Sequence, residues 1–394
     1  MYIKLFLPVL FLAFIQLLGF YFYSGFSYKP NFEIQCLVSL FYISLITTIV
    51  ICFLPFRKKI NFSNYKKDIV NYKFDFIVLI VLCFTVIKPT ILIFFIGMEF
   101  GFDYVRQNFF TSDIIRAVAF GNITIAMLTQ SYVVPFLWFY CLLIIGSENK
   151  KRILFFYILL ISLILFNLSY AGRFYIYFAI IVLYLKVVIE GKGVIHFFKK
   201  YSLILIVFLF LSMFIINLRV NEDGIASDSN DFIMLAEYHL LQPYFLSQKI
   251  ENKEIVFDGY PFRVIIEGIL SPIFYFFGTQ LQDIPQGYFP LIFNNFTLYS
   301  NYTGTYYNAF ATFFPFVYSD FGMLSPFFVF IIISYFILSS LLISNYILRI
   351  KFLAFIALML YFSLFQSTIF SFGCLMIIVL FPVFSFFYSR IVSK

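Results

Sequence analysis

Residues 219–231, with the sequence RVNEDGIASDSND, follow directly on the apolar run SLILIVFLFLSMFIINL at residues 202–218. They begin a polar stretch that extends to residue 322, and the chain is strongly apolar on both sides of it. Runs of this length and composition are typical of helices that cross the ~30 Å apolar core of a bilayer. The sequence therefore predicts an all-α polytopic membrane protein with one large segment outside the membrane.

Composition supports this class and excludes others. Of the 394 residues, 63% are hydrophobic, which is more than a soluble domain of this length needs. The net charge of +8 comes from basic residues in short loops between the apolar runs, so we expect no nucleic-acid partner. The five cysteines lie inside apolar runs without the spacing of metal ligands, and two histidines are too few for a His-rich metal site. We therefore expect no metal and no cofactor.

Ten segments have the hydropathy of spanning helices. Residues 117–146 are too long for one untilted helix, so their first part is expected to lie at the interface or to re-enter the membrane. Residues 262–277 are apolar but too short to span, which predicts an interfacial helix. The expected number of spans is ten to twelve, with about seven in residues 1–218, an external segment at residues 219–322 and about three in residues 323–394. The ten segments are residues 5–23, 36–56, 76–97, 124–146, 153–170, 174–190, 202–218, 323–344, 352–372 and 374–389.

Basic residues are concentrated in alternate connections. All of these connections fall on one side of the membrane if both termini are cytoplasmic, as the positive-inside rule requires. This predicts a multi-pass protein of the bacterial cytoplasmic (inner) membrane, with residues 219–322 in the periplasm. The basic residues are Arg57, Lys58, Lys59, Lys66, Lys67, Lys73, Lys150, Lys151, Arg152, Lys192, Lys199, Lys200, Arg349, Lys351, Arg390 and Lys394.

Three arginines lie on the side that the positive-inside rule disfavours. Arg173 is in a turn between two helices, Arg219 ends the run at 202–218, and Arg263 begins the short apolar segment. Guanidinium groups bind phosphate oxygens in pairs, which suits a diphosphate at headgroup depth. The alternatives are contact with lipid headgroups or pairing with acidic neighbours, because the outer stretch holds eleven acidic residues and four basic ones.

A few ionisable side chains are candidates for acid–base chemistry. Glu237 and His239 lie on a predicted helix at residues 231–250, and either group is chemically suited to deprotonate a hydroxyl. The alternative for Glu237 and His239 is that they lie on a solvated loop helix without a catalytic role. Asp320 is expected at the point where the chain re-enters the membrane. Lys88, in the middle of the span at 76–97, is a substrate contact or a member of an ion pair.

One late element carries a resemblance to a known family. Residues 308–312 read NAFAT, with Asn308 and Thr312 expected on one helical face; an aromatic run follows, and residues 318–322 read YSDFG. Together with GRF at residues 172–174, this element resembles the oligosaccharide repeat-unit polymerases, the O-antigen polymerases of the Wzy type. The many spans and the large periplasmic segment in the second half of the chain are similar to that family as well.

The resemblance implies a metal-independent lipid-linked glycosyltransferase with a GT-C-like fold. Its donor is the growing glycan on undecaprenyl pyrophosphate, and its acceptor is a single repeat unit on the same carrier. His239, Asp320 and Glu237 are then the candidate bases, in that order, because imidazole titrates near its working pH. Arg173, Arg219, Arg263, Asn308 and Tyr318 are expected to bind pyrophosphate or glycan. Membrane lipid, a chain-length regulator and a flippase are the expected partners.

Two other functions fit the same sequence. An O-antigen ligase shares the architecture and the donor but transfers the glycan to a lipid A core sugar. A flippase or another transporter of lipid-linked oligosaccharides belongs to a different class, in which spans are evenly spaced and loops are short. The polar stretch of about 100 residues argues against the transporter.

The predicted topology is testable by cysteine labelling. Cysteines that replace Asp228 or Gln282 should react with a membrane-impermeant maleimide in intact spheroplasts, because both positions lie in the predicted outer stretch. A cysteine that replaces Lys66 should react only after lysis and serves as the control. Labelling of Asp228→Cys or Gln282→Cys only after lysis would reverse the topology.

Overall fold

The computed structural model is almost entirely α-helical. It describes residues 2–53, 72–111, 113–170, 172, 174–220, 231–255, 257, 261–263, 266, 298–304, 306–307, 312–365, 369 and 371–392. Within these residues the β-structure is one short antiparallel ribbon of β1 (Leu298–Tyr299) and β2 (Tyr306–Tyr307), and an isolated bridge joins Phe26 to Ser300. The ribbon lies within the stretch that the sequence predicts to be outside the membrane.

Several consecutive helices of the described part are joined by short turns. Two π turns, Cys83–Ile87 and Thr129–Val133, join α4 to α5 and α8 to α9, and 3₁₀ turns at Gly322–Leu324 and Ser340–Leu342 flank α15. The helices are α1 Tyr2–Leu5, α2 Leu7–Phe22, α3 Phe32–Phe53, α4 Tyr72–Leu82, α5 Lys88–Phe100, α6 Phe102–Thr111, α7 Asp113–Phe120, α8 Ile123–Leu128, α9 Val134–Leu143, α10 Lys150–Ser169, α11 Phe174–Ile189, α12 Val194–Val220, α13 Asp231–Glu251, α14 Phe314–Phe321, α15 Ser325–Ser339, α16 Tyr346–Ser363 and α17 Phe372–Val392.

Seven helices of the described part are long and apolar enough to cross a membrane, and three shorter apolar helices accompany them. Each coincides with one of the ten apolar segments of the sequence, so the prediction of an all-α multi-pass membrane protein is confirmed. The seven are Phe32–Phe53, Lys73–Phe100, Ile123–Leu143, Lys150–Ser169, Val194–Met213, Phe314–Leu342 and Tyr346–Ser363, and the three shorter ones are Leu7–Phe22, Phe174–Ile189 and Gly373–Phe387.

Breaks in the helices have identifiable causes. Within residues 117–146 the helix breaks at Gly121, which has a φ of +78°, and Asn122 then caps α8 by accepting a hydrogen bond from the Thr124 N–H at 2.7 Å. Each π turn ends two residues before a proline, Pro89 or Pro135. A proline removes one helical N–H and its ring crowds the preceding turn, and a π turn widens the helix there.

Some predicted boundaries differ from the structure. The membrane helix expected at 323–344 already begins at Phe314, and the one expected at 202–218 belongs to a helix that begins at Val194. The interpretation of Thr312 as part of a helical face is wrong, because this residue precedes α14, and its hydroxyl accepts a hydrogen bond from the Phe314 N–H at 3.3 Å. Hydropathy begins the apolar run only after Asp320, because the polar residues Tyr318, Ser319 and Asp320 of α14 interrupt it.

The chain divides into two compact units. Unit 1 contains Met1–Lys58, Gly224–Ser344 and Ile356–Lys394, and unit 2 contains Lys59–Asp223 and Asn345–Phe355. In unit 1, α3 packs along α15, and α13 packs against α2 and α3. The sequence-based division at residues 218 and 322 follows expected membrane sides and stays a prediction.

Unit 2 joins four helix ends through buried charges. Arg152, at the start of α10 and 2% exposed, donates from Nε to Asp75 Oδ2 at 2.6 Å, and Tyr140 of α9 donates to the same carboxylate at 2.5 Å. Lys351, at the start of α16, donates to the carbonyl of Leu143 at 2.5 Å. The start of α4, the end of α9 and the starts of α10 and α16 therefore meet in this unit.

Candidate functional site

The connection between α2 and α3 is hydrogen-bonded to α13 and to the ribbon. The Tyr244 hydroxyl of α13 donates to carbonyls at the C-terminal end of α2. Its oxygen lies 3.0 Å from Gly19 O and 2.5 Å from Tyr23 O. Burial raises the pKa of Tyr244 to about 12, so the hydroxyl remains a donor at physiological pH. Gly19 permits the approach, because a Cβ at this position would lie 2.7 Å from Leu240.

The same connection pairs with the ribbon. Ser27 donates its N–H to Tyr299 O at 2.9 Å, and Asn301 donates its N–H to Gly25 O at 2.7 Å. These bonds place the end of α2 and residues 298–304 on the same side of α13. Polar groups from three distant parts of the chain are thereby brought together.

Glu237 lies at the centre of these groups and is fully buried, at 0% exposure. Its Oε1 accepts hydrogen bonds from the hydroxyls of Tyr23 and Ser300, the latter at 2.6 Å, and its Oε2 accepts one from Thr303 at 3.1 Å. The Ser300 hydroxyl in turn accepts from the N–H of Thr303 at 3.1 Å. We call Tyr23, Glu237, Ser300 and Thr303 the carboxylate cluster, and its hydroxyl donors hold both oxygens of Glu237.

Further carboxylates hold the C-terminal end of α13. Glu251 accepts hydrogen bonds from the Tyr28 hydroxyl and from Asn31 Nδ2, the latter at 2.8 Å. Burial, and secondly the hydrogen bond to Glu251, raise the pKa of Tyr28 above its ordinary value. Lys249 is fully buried and donates to Glu254 at 2.5 Å. These contacts stabilise the position of the C-terminal end of α13.

Pro243 determines the local structure around His239. Proline has no N–H, so the His239 carbonyl loses the helical donor that residue 243 would supply. Gln16 of α2, which is 0% exposed, replaces that donor through Nε2 at 3.1 Å, and the same nitrogen lies 3.2 Å from the carbonyl of Leu364 after α16. One amide therefore joins α2, α13 and the end of α16.

His239 is half-buried and has a defined orientation. Its Nδ1 lies 2.8 Å from the carbonyl of Leu235, and the edge of its ring meets Phe365 at 5.1 Å between centroids. A carbonyl only accepts, so the proton of the neutral ring is assigned to Nδ1 and the basic lone pair to Nε2. The two residues from Glu237 to His239 correspond to a rotation of about 200° around a helix. The structure therefore places these two candidates on different faces of α13, and they form no acid–base pair.

Gln242 lies one helical turn after His239, on the same face of α13. It is 1% exposed, and among the described residues neither its amide oxygen nor its amide nitrogen has a hydrogen-bond partner. A buried polar group without a partner is costly, at about 1–3 kcal/mol. Such a group therefore needs an explanation, and an intermittently bound polar ligand supplies one.

Asp320 lies on α14 and is 3% exposed. The next residue, Phe321, stacks on Phe328 at 3.6 Å, and Phe262 meets Phe321 at 5.1 Å. Arg263, which is half-buried, directly follows Phe262, so its backbone lies close to α14. Tyr318, also half-buried, precedes Asp320 by two residues and therefore lies on another face of the helix.

The remaining predicted contacts are not tested. Arg173 and Asn308 lie outside the described residues, as does most of the interfacial helix expected at residues 262–277. Arg219 is in the last turn of α12, and its side chain also lies outside the described part. The convergence of Arg173, Arg219 and Arg263 on one pocket stays a prediction. No group of three or more His, Cys, Asp or Glu side chains in the described part is placed to hold a metal ion.

Comparison with known proteins provides no further guide. No family model, no curated protein and no solved structure matches this chain. A function has to be argued from the residues and from their geometry.

Sequence reasoning missed several members of these clusters. Ser300, Thr303 and Tyr23 carry no recognisable motif, since their meeting with Glu237 depends on the tertiary fold. Gln16 and Gln242 did leave a signal, because a glutamine inside an apolar run and a glutamine next to a helical proline each leave polar groups that need partners.

Replacement of Gln16 tests the tie between the three helices. Gln16→Leu should lower the free energy of unfolding by about 1–2 kcal/mol, because two carbonyls lose their donor in apolar surroundings. The midpoint of thermal unfolding of the purified protein in detergent measures the effect. Gln130→Leu is the control, since that half-buried glutamine of the other unit has no described side-chain hydrogen bond. An equal loss of stability in Gln16→Leu and Gln130→Leu would contradict the role of Gln16 in joining the three helices.

Proposed function

We propose that this protein polymerises lipid-linked oligosaccharide repeat units into a surface polysaccharide on the outer face of the bacterial inner membrane. The observation that carries the proposal is the turn from His239 to Pro243 of α13. This turn brings a histidine with an oriented lone pair and an unmatched buried amide together inside an apolar membrane protein. The resemblance of residues 308–322 to repeat-unit polymerases supplies the reaction class.

The chemistry that we assign is transfer of a glycan between two carrier lipids. His239 Nε2 accepts the proton of a hydroxyl on the acceptor, which is one repeat unit on undecaprenyl pyrophosphate. The hydroxyl oxygen bonds to the anomeric carbon of the growing chain, and the bond from that carbon to the donor's pyrophosphate breaks. Arg263, and in this proposal Arg173 and Arg219, stabilise the charge on the departing lipid pyrophosphate. Lipid pyrophosphate and an elongated chain are the products.

The other two carboxylates receive different roles. Both oxygens of Glu237 accept hydrogen bonds from the hydroxyls of the carboxylate cluster, so we assign it to positioning α13. Asp320 remains the second candidate base, because it is 3% exposed on α14 and the contact of Phe262 with Phe321 brings the backbone of Arg263 close to that helix.

Gln242 provides a contact for the sugar. A glutamine amide offers a donor and an acceptor side by side, which match neighbouring sugar hydroxyls or an acetamido group. Binding of such a group would satisfy both atoms of the amide one turn from the proposed base. Tyr318 and Asn308 belong to the same proposal as further glycan contacts.

The topology and the fold comparison are also parts of the proposal. Both termini are cytoplasmic, residues 219–322 are periplasmic, ten to twelve helices span the membrane, and the fold is GT-C-like. Membrane lipid, a chain-length regulator and a flippase are the proposed partners, and no metal takes part. O-antigen ligase and a lipid-linked oligosaccharide transporter remain the alternatives.

Deletion of the gene distinguishes these functions. We expect the surface anchor to carry a single repeat unit, without the ladder of longer chains, as seen by gel electrophoresis of the glycolipid. Long chains that stay on the lipid carrier would point instead to a ligase. Repeat units that accumulate inside the cell would point to a flippase.

Substitution of His239 tests the proposed base. In the deletion strain, His239→Ala should restore no ladder at wild-type protein level, because no imidazole accepts the acceptor's proton. The chain offers a matched control in its other histidine, and His196→Ala should restore the full ladder, since His196 is exposed at the start of α12. A normal ladder with His239→Ala would remove the residue from the mechanism.

Gln242→Leu separates substrate binding from stability. Removal of a buried, unmatched amide should leave the unfolding midpoint unchanged or raise it, whereas KM for the lipid-linked repeat unit should rise about tenfold. Tyr42→Phe is the control, because it removes a buried hydroxyl that also has no partner, on α3. That variant should keep the wild-type KM in the reconstituted reaction. A wild-type KM with Gln242→Leu would exclude the sugar contact.

A further inference from the structure

Lys88 is a charged residue on the exposed face of a membrane-spanning helix. It lies in the helix Lys73–Phe100, directly after the π turn Cys83–Ile87, and its side chain is exposed. Only 28% of an 18-residue apolar stretch of this helix is buried inside the protein, compared with 72% of the corresponding stretch in Tyr346–Ser363. Most of the Lys73–Phe100 surface therefore faces lipid or another molecule.

The depth of Lys88 makes this position costly. At ~1.5 Å per residue, Lys88 lies about 22 Å from Lys73 and about 18 Å from Phe100, so it is near the middle of the helix. The apolar core of a bilayer is ~30 Å thick, and a lysine side chain extends roughly 6 Å, so the ammonium falls several ångströms short of either interface. Charges at such depth pair with another group or face a polar cavity.

The buried lysines of the described part all reach an oxygen. Lys186 and Lys249 donate to Glu190 and Glu254, each at 2.5 Å, and Lys351 donates to the carbonyl of Leu143 at 2.5 Å. Lys88 makes no such contact within the described residues. It is therefore the exception that needs an external partner.

The surface around Lys88 is shaped for a second helix. Ile91, Phe95 and Met98 are exposed at 50%, 63% and 68%, and with Lys88 they follow the 3–4–3 spacing of a helix–helix seam. On the far side, the helix packs through α5 on α6, α7 and α10, and its π turn lies against the π turn Thr129–Val133. The seam is thus a free, apolar stripe with one charge.

We propose that this stripe binds a transmembrane helix of another protein that carries an aspartate or glutamate at mid-membrane depth. Charge complementarity selects the carboxylate, because in the bilayer core an ammonium is stabilised most by an opposite charge. A second copy of this chain does not fit. Its exposed acidic residue on this helix, Glu99, lies at the end of the span, and Asp75 is engaged by Arg152.

Designed peptide helices can test this chemistry on the reconstituted full-length protein. The label is a fluorescent donor on Cys83, which is exposed and whose carbonyl accepts the Lys88 N–H across the π turn. Cys36 is changed to alanine, and the remaining cysteines are buried. The probes are acceptor-labelled leucine–alanine helices with a single central residue, either Glu or Leu, in neutral phosphatidylcholine vesicles.

Energy transfer from Cys83 should reach half-saturation at about tenfold lower Glu-probe density than Leu-probe density. Lys88→Leu should abolish this preference, and Lys88→Glu should instead prefer a probe with a central Lys. Lys192→Leu, which removes a lysine outside the predicted spans, should leave the preference intact. Equal transfer with both probes, or a preference that survives Lys88→Leu, would overturn the proposal. Efficient disulfide formation between Cys83 residues of two copies would overturn it in favour of a homodimer.

Discussion

Every backbone carbonyl in an apolar environment needs a donor that the protein itself supplies, and this constraint organises unit 1. Pro243 removes the donor for the His239 carbonyl, and Gln16 supplies a replacement from 223 positions earlier in the chain. Because the same amide lies next to the carbonyl of Leu364, the end of α16 is drawn to the same point. The position of His239 therefore depends on a side chain of α2.

On the opposite face of α13, the buried acceptor that needs donors is a side chain and not a backbone carbonyl. The buried carboxylate of Glu237 needs donors, and these come from the end of α2 and from residues 300–303. Helix α13 is consequently fixed on one face by a carboxylate and on the other by an amide. This arrangement leaves the His239 ring, and not Glu237, as the group with an oriented basic atom.

Much of the fold was predictable from the sequence, because long apolar runs and a polar α13 have local signatures. The hydroxyls around Glu237 were not predictable, since Ser300 and Thr303 become donors only through pairing of the ribbon with residues 25–27. Helix starts were misplaced where polar residues inside a helix interrupt the apolar run, as Ser319 and Asp320 do in α14. The different faces of Glu237 and His239 follow from their two-residue spacing once a helix is assumed.

The turn from residue 239 to 243 departs from local rules in three ways at once. It has a proline inside a helix, a carbonyl whose donor comes from another helix, and a buried amide that has no partner in the described part of the chain. An alanine at 243 would restore the helical hydrogen bond, and an interior proline costs a helix about 3 kcal/mol relative to alanine. Natural sequences usually agree with local preference and depart from it mainly at functional sites. Three departures within one turn beside a histidine are therefore a physical reason, independent of any motif, to place the site on α13.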